Sequence, residues 1–239
     1  MKILAIIRRS LVLHPVASGA FGLVALILVA IAVGVPILRH IEAEHFQEAT
    51  AKSGQLLIAA LSNPAVLSGD PDVDTTELSN NALELSRVHD EVVLAKVSFA
   101  KNAAQAALDY TDYAARVGAK LVQVAQTQHA ARTAFDTYER DVEILKGSNL
   151  AGRPQAQEDV NAVTSEARAS TELAYQECVL LSSMARDYGA VRTRALKDLT
   201  GVGPDVAPAL AALDPALRAM LLASHERRKV FNPGARSPL

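Results

Sequence analysis

The residues from Val16 to Leu38, VASGAFGLVALILVAIAVGVPIL, include no charged side chain, and no other stretch limits the fold so tightly. At 1.5 Å rise per residue a helix of this length spans about 34 Å, enough to cross a hydrocarbon core of roughly 30 Å. Counting back to Leu11 adds only His14 as a titratable group. The sequence therefore predicts a single transmembrane helix over 11–38. Lys2, Arg8 and Arg9 precede it, while Arg39 and Lys52 follow. The positive-inside rule then places 1–10 in the cytoplasm and the bulk of the chain outside, as a periplasmic domain on a bacterial-type inner membrane. A cleaved secretory signal ending at Ala30-Ile31-Ala32 is the alternative. Signal cores usually run about 7–15 residues, and this apolar run is longer and continues past that site. No cysteine lies near the N-terminus, so lipoprotein processing is excluded.

Within the span, Ser18, Gly22, Ala30 and Gly34 fall on one four-residue row, interrupted by Leu26. Small residues at that spacing let a second helix approach closely, so this row is the candidate membrane packing face.

After the span the chain reads as polar, alanine-rich helix. Half of its 239 residues are hydrophobic, but only 4% are aromatic and none is Trp. Ala, Leu and Val therefore supply the apolar surface, which favours narrow helix–helix seams. Net charge is −2, giving no electrostatic case for nucleic acid from the chain as a whole. Cys178 is the only cysteine, so neither an intrachain disulfide nor a multi-thiolate metal site can form. At a helical apolar position it reads as a small packed side chain.

Ile41, Phe46, Ala49, Leu56, Leu57 and Leu61 keep helical spacing until Asn63-Pro64, where the residue before proline is pushed from the α region. Gly69, Asp70 and Pro71 mark a loop. Asp74 and Glu77 have capping-box spacing, with Thr75 or Thr76 as the competing cap. Leu78, Ala82, Leu85, His89, Val92, Lys96, Phe99, Ala103, Ala106, Tyr110, Tyr113 and Val117 then alternate threes and fours as a heptad seam. The repeat shifts beside Gly118 and resumes as Leu121, Val124, Gln128, Ala131, Phe135, Tyr138, Val142 and Leu145. This predicts a helix over 76–146, either continuous through a stutter or broken near Gly118. Val92 to Phe99, rich in β-branched residues, has strand character, but the helical run after it favours helix.

Gly147-Ser148-Asn149 ends this helix, and Pro154 suits the first turn of the next. Val160, Val163, Ala167, Thr171, Ala174, Cys178, Leu181, Ala185, Tyr188 and Val191 carry the pattern to Thr200, and Gly201 stops it. The expected fold is all-α: the membrane helix, then an elongated antiparallel hairpin or bundle over 39–200 with coiled-coil-like heptads. Phe99, Val117, Leu121, Phe135, Leu181 and Tyr188 should be buried in its seams. Residues 201–239 form a Pro-rich, basic C-terminal tail, cut into short pieces by Pro204, Pro208, Pro215, Pro233 and Pro238, of which Pro215 to Arg228 can form one short helix with Leu217, Leu221 and Leu222 on one side.

Leu199-Thr200-Gly201-Val202-Gly203-Pro204 resembles the helix–hairpin–helix element over about 20 residues. The resemblance implies phosphate contact through backbone amides at Gly201 and Gly203. Asp205 stands where that family often has a basic residue, and Pro208 falls inside the helix that should follow. Glu42 and His45 have the E-x-x-H spacing of di-iron bundles, but no second such pair exists, so no metal or other cofactor is expected. There is no G-K-[ST] phosphate loop, G-x-S-x-G elbow, H-E-x-x-H or C-x-x-C, so no catalytic residues are assigned and no enzyme is expected. The sequence thus points to a non-enzymatic, membrane-anchored interaction protein: a scaffold, tether or accessory subunit binding a protein partner or itself through helices. An extracytoplasmic sensory or ligand-binding bundle is the alternative, since an anchor running into an antiparallel bundle resembles the outer half of bacterial four-helix-bundle receptors. Those return through a second membrane helix, and this chain has no second span. Nucleic-acid binding through 199–204 is the weakest reading.

Overall fold

The computed structural model describes residues 15–70, 72–95, 99–147 and 154–234, with side-chain surroundings given for residue 28 and from residue 31 onward. The described residues are all-helical: α1 (Pro15–Leu61), a 3₁₀ turn (Pro64–Ser68), α2 (Thr76–Ala95), α3 (Lys101–Gly147), α4 (Pro154–Asp198) and α5 (Ala207–Phe231). Among them, no helix is long and apolar enough to cross a membrane. The expected span over 11–38 falls largely on residues 11–14 and on the side chains of 15–27, 29 and 30, and the expected cytoplasmic segment falls on 1–10, all outside the description.

The helix α1 runs unbroken through Pro36. Its second half is amphipathic: Phe46, Ala49, Thr50, Ser53, Leu57, Ala60 and Leu61 recur at threes and fours and are buried. It stops at Leu61, as Asn63-Pro64 requires. The loop that follows is pinned to α3. Gly69 has φ +73°, and a Cβ there would collide with the backbone of Gln128 and His129. Asp70 adds an ion pair to Arg132 at 3.5 Å.

At the start of α2, Asp74 Oδ1 accepts from the Thr76 amide at 2.8 Å, and the Ser79 amide donates to Thr75 O at 3.0 Å. The hydrogen bonds from Thr76 hold the Asp74 carboxyl below its ordinary value. Leu78, Leu85, Val88 and Val92 form its buried stripe.

The expected 76–146 helix is neither continuous nor broken near Gly118. It turns back between Ala95 and Lys101, and α3 passes through Gly118 without interruption. Two contacts give the reason. The Phe99 and Ala100 amides donate to Glu42 Oε2 of α1 at 2.7 and 3.2 Å, setting a carboxylate at the α3 N-terminus, where the helix dipole favours it. Gly118 is the seat on which α2 rests, since a Cβ there would lie 2.7 Å from Leu85 Cδ1 and 3.4 Å from Ala82 Cα. With Leu85 at Gly118 and His89 Nδ1 3.3 Å from Thr111 Oγ1, α2 lies antiparallel on α3. The corner also leaves Phe99 53% exposed, correcting its expected burial.

The α3–α4 pair is the antiparallel hairpin expected from the sequence. Tyr113 Oη donates to Met184 O at 2.9 Å, and further along Lys120 pairs with Glu177 across the seam. Val117, Leu121, Leu181 and Tyr188 are buried, whereas Phe135 is only half-buried. Buried residues of α3 end at Ala131 and those of α4 begin at Ala167. Beyond that level α3 continues to Gly147, about 24 Å further.

The C-terminal segment is not cut into short pieces. Residues Ala207–Phe231 form one helix that buries Leu210, Leu213, Leu217, Leu221, Ser224 and His225. Pro208 lies in the first turn, where the missing amide has no helical partner to lose. Pro215 is exposed, and an Asp214–Arg218 ion pair at 2.7 Å spans it. At the far end, Phe231 meets Phe135 and Tyr138 with ring centroids 5.9 and 5.0 Å apart.

Candidate interaction surfaces

Several polar side chains among the described residues hold helices together. In the loop 199–206, Leu199, Val202 and Val206 are buried. Tyr188 Oη accepts from the Val206 amide at 2.9 Å and from Arg192 at 3.1 Å, while Arg192 also donates to Pro204 O at 3.1 Å. Gln47 of α1 donates to the Thr200 hydroxyl. Asp205 Oδ1 accepts from the Ala207 amide at 3.0 Å, and this bond, aided by Arg192, holds its carboxyl below the usual value. Asp205 thus stands just before α5 and takes up its first amide.

The two glycines proposed for phosphate contact differ within this loop. Gly203 has φ +72°, and a Cβ there would strike the Ala51 backbone, so its open side is filled by α1. Gly201 has nothing within 4 Å of where its Cβ would be. The loop's close approach to α1 accounts for Gly203 without any ligand.

Of the row expected to pack against a second helix, Gly34 has nothing within 4 Å of a would-be Cβ. Ser18, Gly22 and Ala30 lie on the helical backbone of α1, and their side chains fall outside the description. Glu42 caps α3, and His40 Nε2 lies 3.3 Å from Glu44, so the cluster around His45 is divided between two tasks. Among the described residues no three His, Cys, Asp or Glu side chains are grouped to hold a metal ion.

Cys178 is fully buried, and Gln128 Nε2 donates to its Sγ at 3.1 Å and to Ser224 Oγ at 3.1 Å. Burial pushes the thiol up to about 11, leaving it protonated at neutral pH and a poor nucleophile. Tyr110 and Tyr113 are likewise raised, chiefly by burial. Arg228 reaches Glu172 at 2.7 Å and lies 4.0 Å over the Tyr175 ring, so the basic run 227–229 is partly tied to α4.

Open grooves lie between the helices among the described residues. One, about 930 Å³, lies between α1 and the start of α3, beside Arg39, Ala43, Phe99 and Lys101. Another, about 780 Å³, follows the α4–α5 seam past Ala185, Tyr188, Ala207 and Leu217. The roles of Glu42, Gln47 and Arg192 were not visible in sequence, because each acts on a partner remote in the chain and lies in no local motif.

No protein-family model matches this sequence, and no similar curated protein or solved structure is found.

Proposed function

We propose that this chain is a membrane-anchored helical interaction protein, a scaffold, tether or accessory subunit, with its N-terminus in the cytoplasm and its bundle outside. One observation carries the reading. Helix α1 joins the uncharged stretch to the bundle core without a break, and Leu28, Ile31, Val33, Ile37, Leu38 and Ile41 along it are all exposed. A soluble chain rarely leaves so many large apolar side chains uncovered on one helix. A bilayer accounts for them, and Phe46, the first fully buried large residue among the described side chains of α1, then marks where the bundle begins. Glu42, Gln128, Cys178, Arg192 and Asp205 are engaged at helix ends and seams, which supports contact rather than catalysis.

Topology is tested with Lys146→Cys in the full chain, because Lys146 is exposed and Cys178 is buried. A membrane-impermeant thiol reagent should label it in intact cells, and the chain should stay with membranes after alkaline carbonate washing. Labelling only after lysis reverses the orientation. A soluble mature chain starting near Val33 replaces the anchor by a signal peptide. Replacing Gly22 and Gly34 with Leu should weaken co-purification of partners, or self-association in detergent, if the small-residue row is a packing face.

A further inference from the structure

The base of the bundle carries uncovered apolar side chains of its own. Leu94, on the last turn of α2, is 84% exposed, and Phe99 follows just past the corner. The backbone around Phe99 is fixed all the same, since its amide and that of Ala100 are held by Glu42. The corner therefore presents an aromatic ring on an anchored backbone. Beside it lies the groove between α1 and α3, whose cations are Arg39 and Lys101. Glu42, one residue before the groove's Ala43, already accepts two amide protons and faces the α3 N-terminus.

Depth is what selects the partner. Glu42 lies four residues past Leu38, the last residue of the uncharged stretch, which is about 6 Å along a helix. The headgroup layer on each side of a bilayer is about 5–8 Å thick. Glu42 and the Phe99 backbone bonded to it therefore fall at headgroup depth. At that level an exposed ring with adjacent cations suits lipid: the ring enters the acyl boundary and the cations meet phosphate.

We infer that the α2–α3 corner is a membrane-surface foot. Phe99 and Leu94 enter the interface of the leaflet from which α1 emerges, and Arg39 and Lys101 hold the headgroup of an anionic phospholipid seated in the groove. This rests on the anchored reading of α1 and adds a second contact with the same bilayer. A helix alone could swivel under the bundle. A helix and a foot fix the bundle's tilt, and with it the direction of the α3–α4 tip.

The chain has no tryptophan, so single Trp variants of the full chain report depth directly. Phe99→Trp, Leu28→Trp and Ile144→Trp would be reconstituted into phosphatidylcholine vesicles with brominated acyl chains, with and without phosphatidylglycerol. Leu28→Trp should lose most of its emission, Phe99→Trp about half, and Ile144→Trp almost none. Phosphatidylglycerol should deepen quenching at Phe99→Trp, and adding Arg39→Gln with Lys101→Gln should abolish that increment. An unquenched Leu28→Trp would defeat the anchor itself. With Leu28→Trp quenched, Phe99→Trp behaving like Ile144→Trp would overturn the foot alone. Emission from Phe99→Trp that shifts with protein concentration but not with brominated lipid would assign the corner to a protein contact. Quenching at Phe99→Trp indifferent to phosphatidylglycerol would overturn the headgroup site. Unchanged circular dichroism for each variant would show that the substitutions leave the helices intact.

Discussion

The near and far halves of the α3–α4 hairpin share one repeat but not one kind of packing. From Ala103 to Ala131, α3 is enclosed by α4 on one side and by α1, α2 or the 3₁₀ turn on others, and its seam residues are buried. Past Ala131 the repeat continues through Phe135, Tyr138, Val142 and Leu145, yet each is only half-buried, and Ile144 is 55% exposed. Here α3 has α4 and, briefly, the end of α5 at Phe231. Periodicity decides which face of a helix turns inward. How many neighbours arrive there decides how much burial results.

The largest test of this contrast compares Leu121→Ala with Leu145→Ala. Leu121 is fully enclosed, so its truncation should leave a cavity and cost about 3 kcal/mol. Leu145 sits at the edge of a two-helix seam and should cost less than about 1 kcal/mol. Denaturant unfolding in detergent, followed by circular dichroism, measures both. Equal losses would mean that the far hairpin is as enclosed as the body.

Glycine substitutions sharpen the same comparison at a smaller scale. In the body, Gly203→Ala places a methyl on the Ala51 backbone in a left-handed conformation and should cost about 2 kcal/mol. At the tip, Gly147 has nothing within 4 Å of a new Cβ, so Gly147→Ala should be neutral or stabilise by up to about 1 kcal/mol. Thermal unfolding of the two variants separates them. A tolerated Gly203→Ala would show that the loop does not rest on α1 as closely as the distances require.

These contrasts also mark what the sequence could reveal. Helix ends written in local chemistry, such as Asn63-Pro64 and Pro154, were legible because a few adjacent residues determine them. The α3–α4 pairing followed from two long periodic runs joined by a short link. The end of α2 at Ala95 and the new start at Lys101 were not legible, because the carboxylate that meets the Phe99 and Ala100 amides, Glu42, comes from a different helix. Gly118 misled for a related reason: a glycine that weakens an isolated helix looks the same as one that seats a neighbour. In α5, Pro215 looked like a break, but the buried stripe Leu210, Leu213, Leu217 and Leu221 secures the helix around it. As for the interaction surfaces, the groove at Phe99 was not readable, because it exists only once α2 and α3 have packed.

The smallest effect at neutral pH, and the one that best separates body from tip, is the titration of a thiol. Burial raises Cys178 from 9.0 to about 11. A group whose folded value is raised contributes stability that is fully present below its unfolded value and lost as pH rises through the folded one. The body should therefore be unaffected by Cys178 below pH 9.0 and weaken progressively toward about pH 11. Tyr110 and Tyr113, raised from 10.0 by burial, add to the loss in the same direction at still higher pH. A thiol at the tip, supplied by Lys146→Cys, has an exposed setting and should react with a disulfide reagent at neutral pH. Cys178 should react at least about a hundredfold more slowly under the same conditions, its rate following opening of the bundle rather than thiolate fraction alone. Rates measured from pH 7 to 11, beside unfolding midpoints over that range, give both readouts. Prompt modification of Cys178 at pH 7 would mean that the Gln128–Ser224 layer opens readily, and the body would then differ from the tip far less than its packing implies.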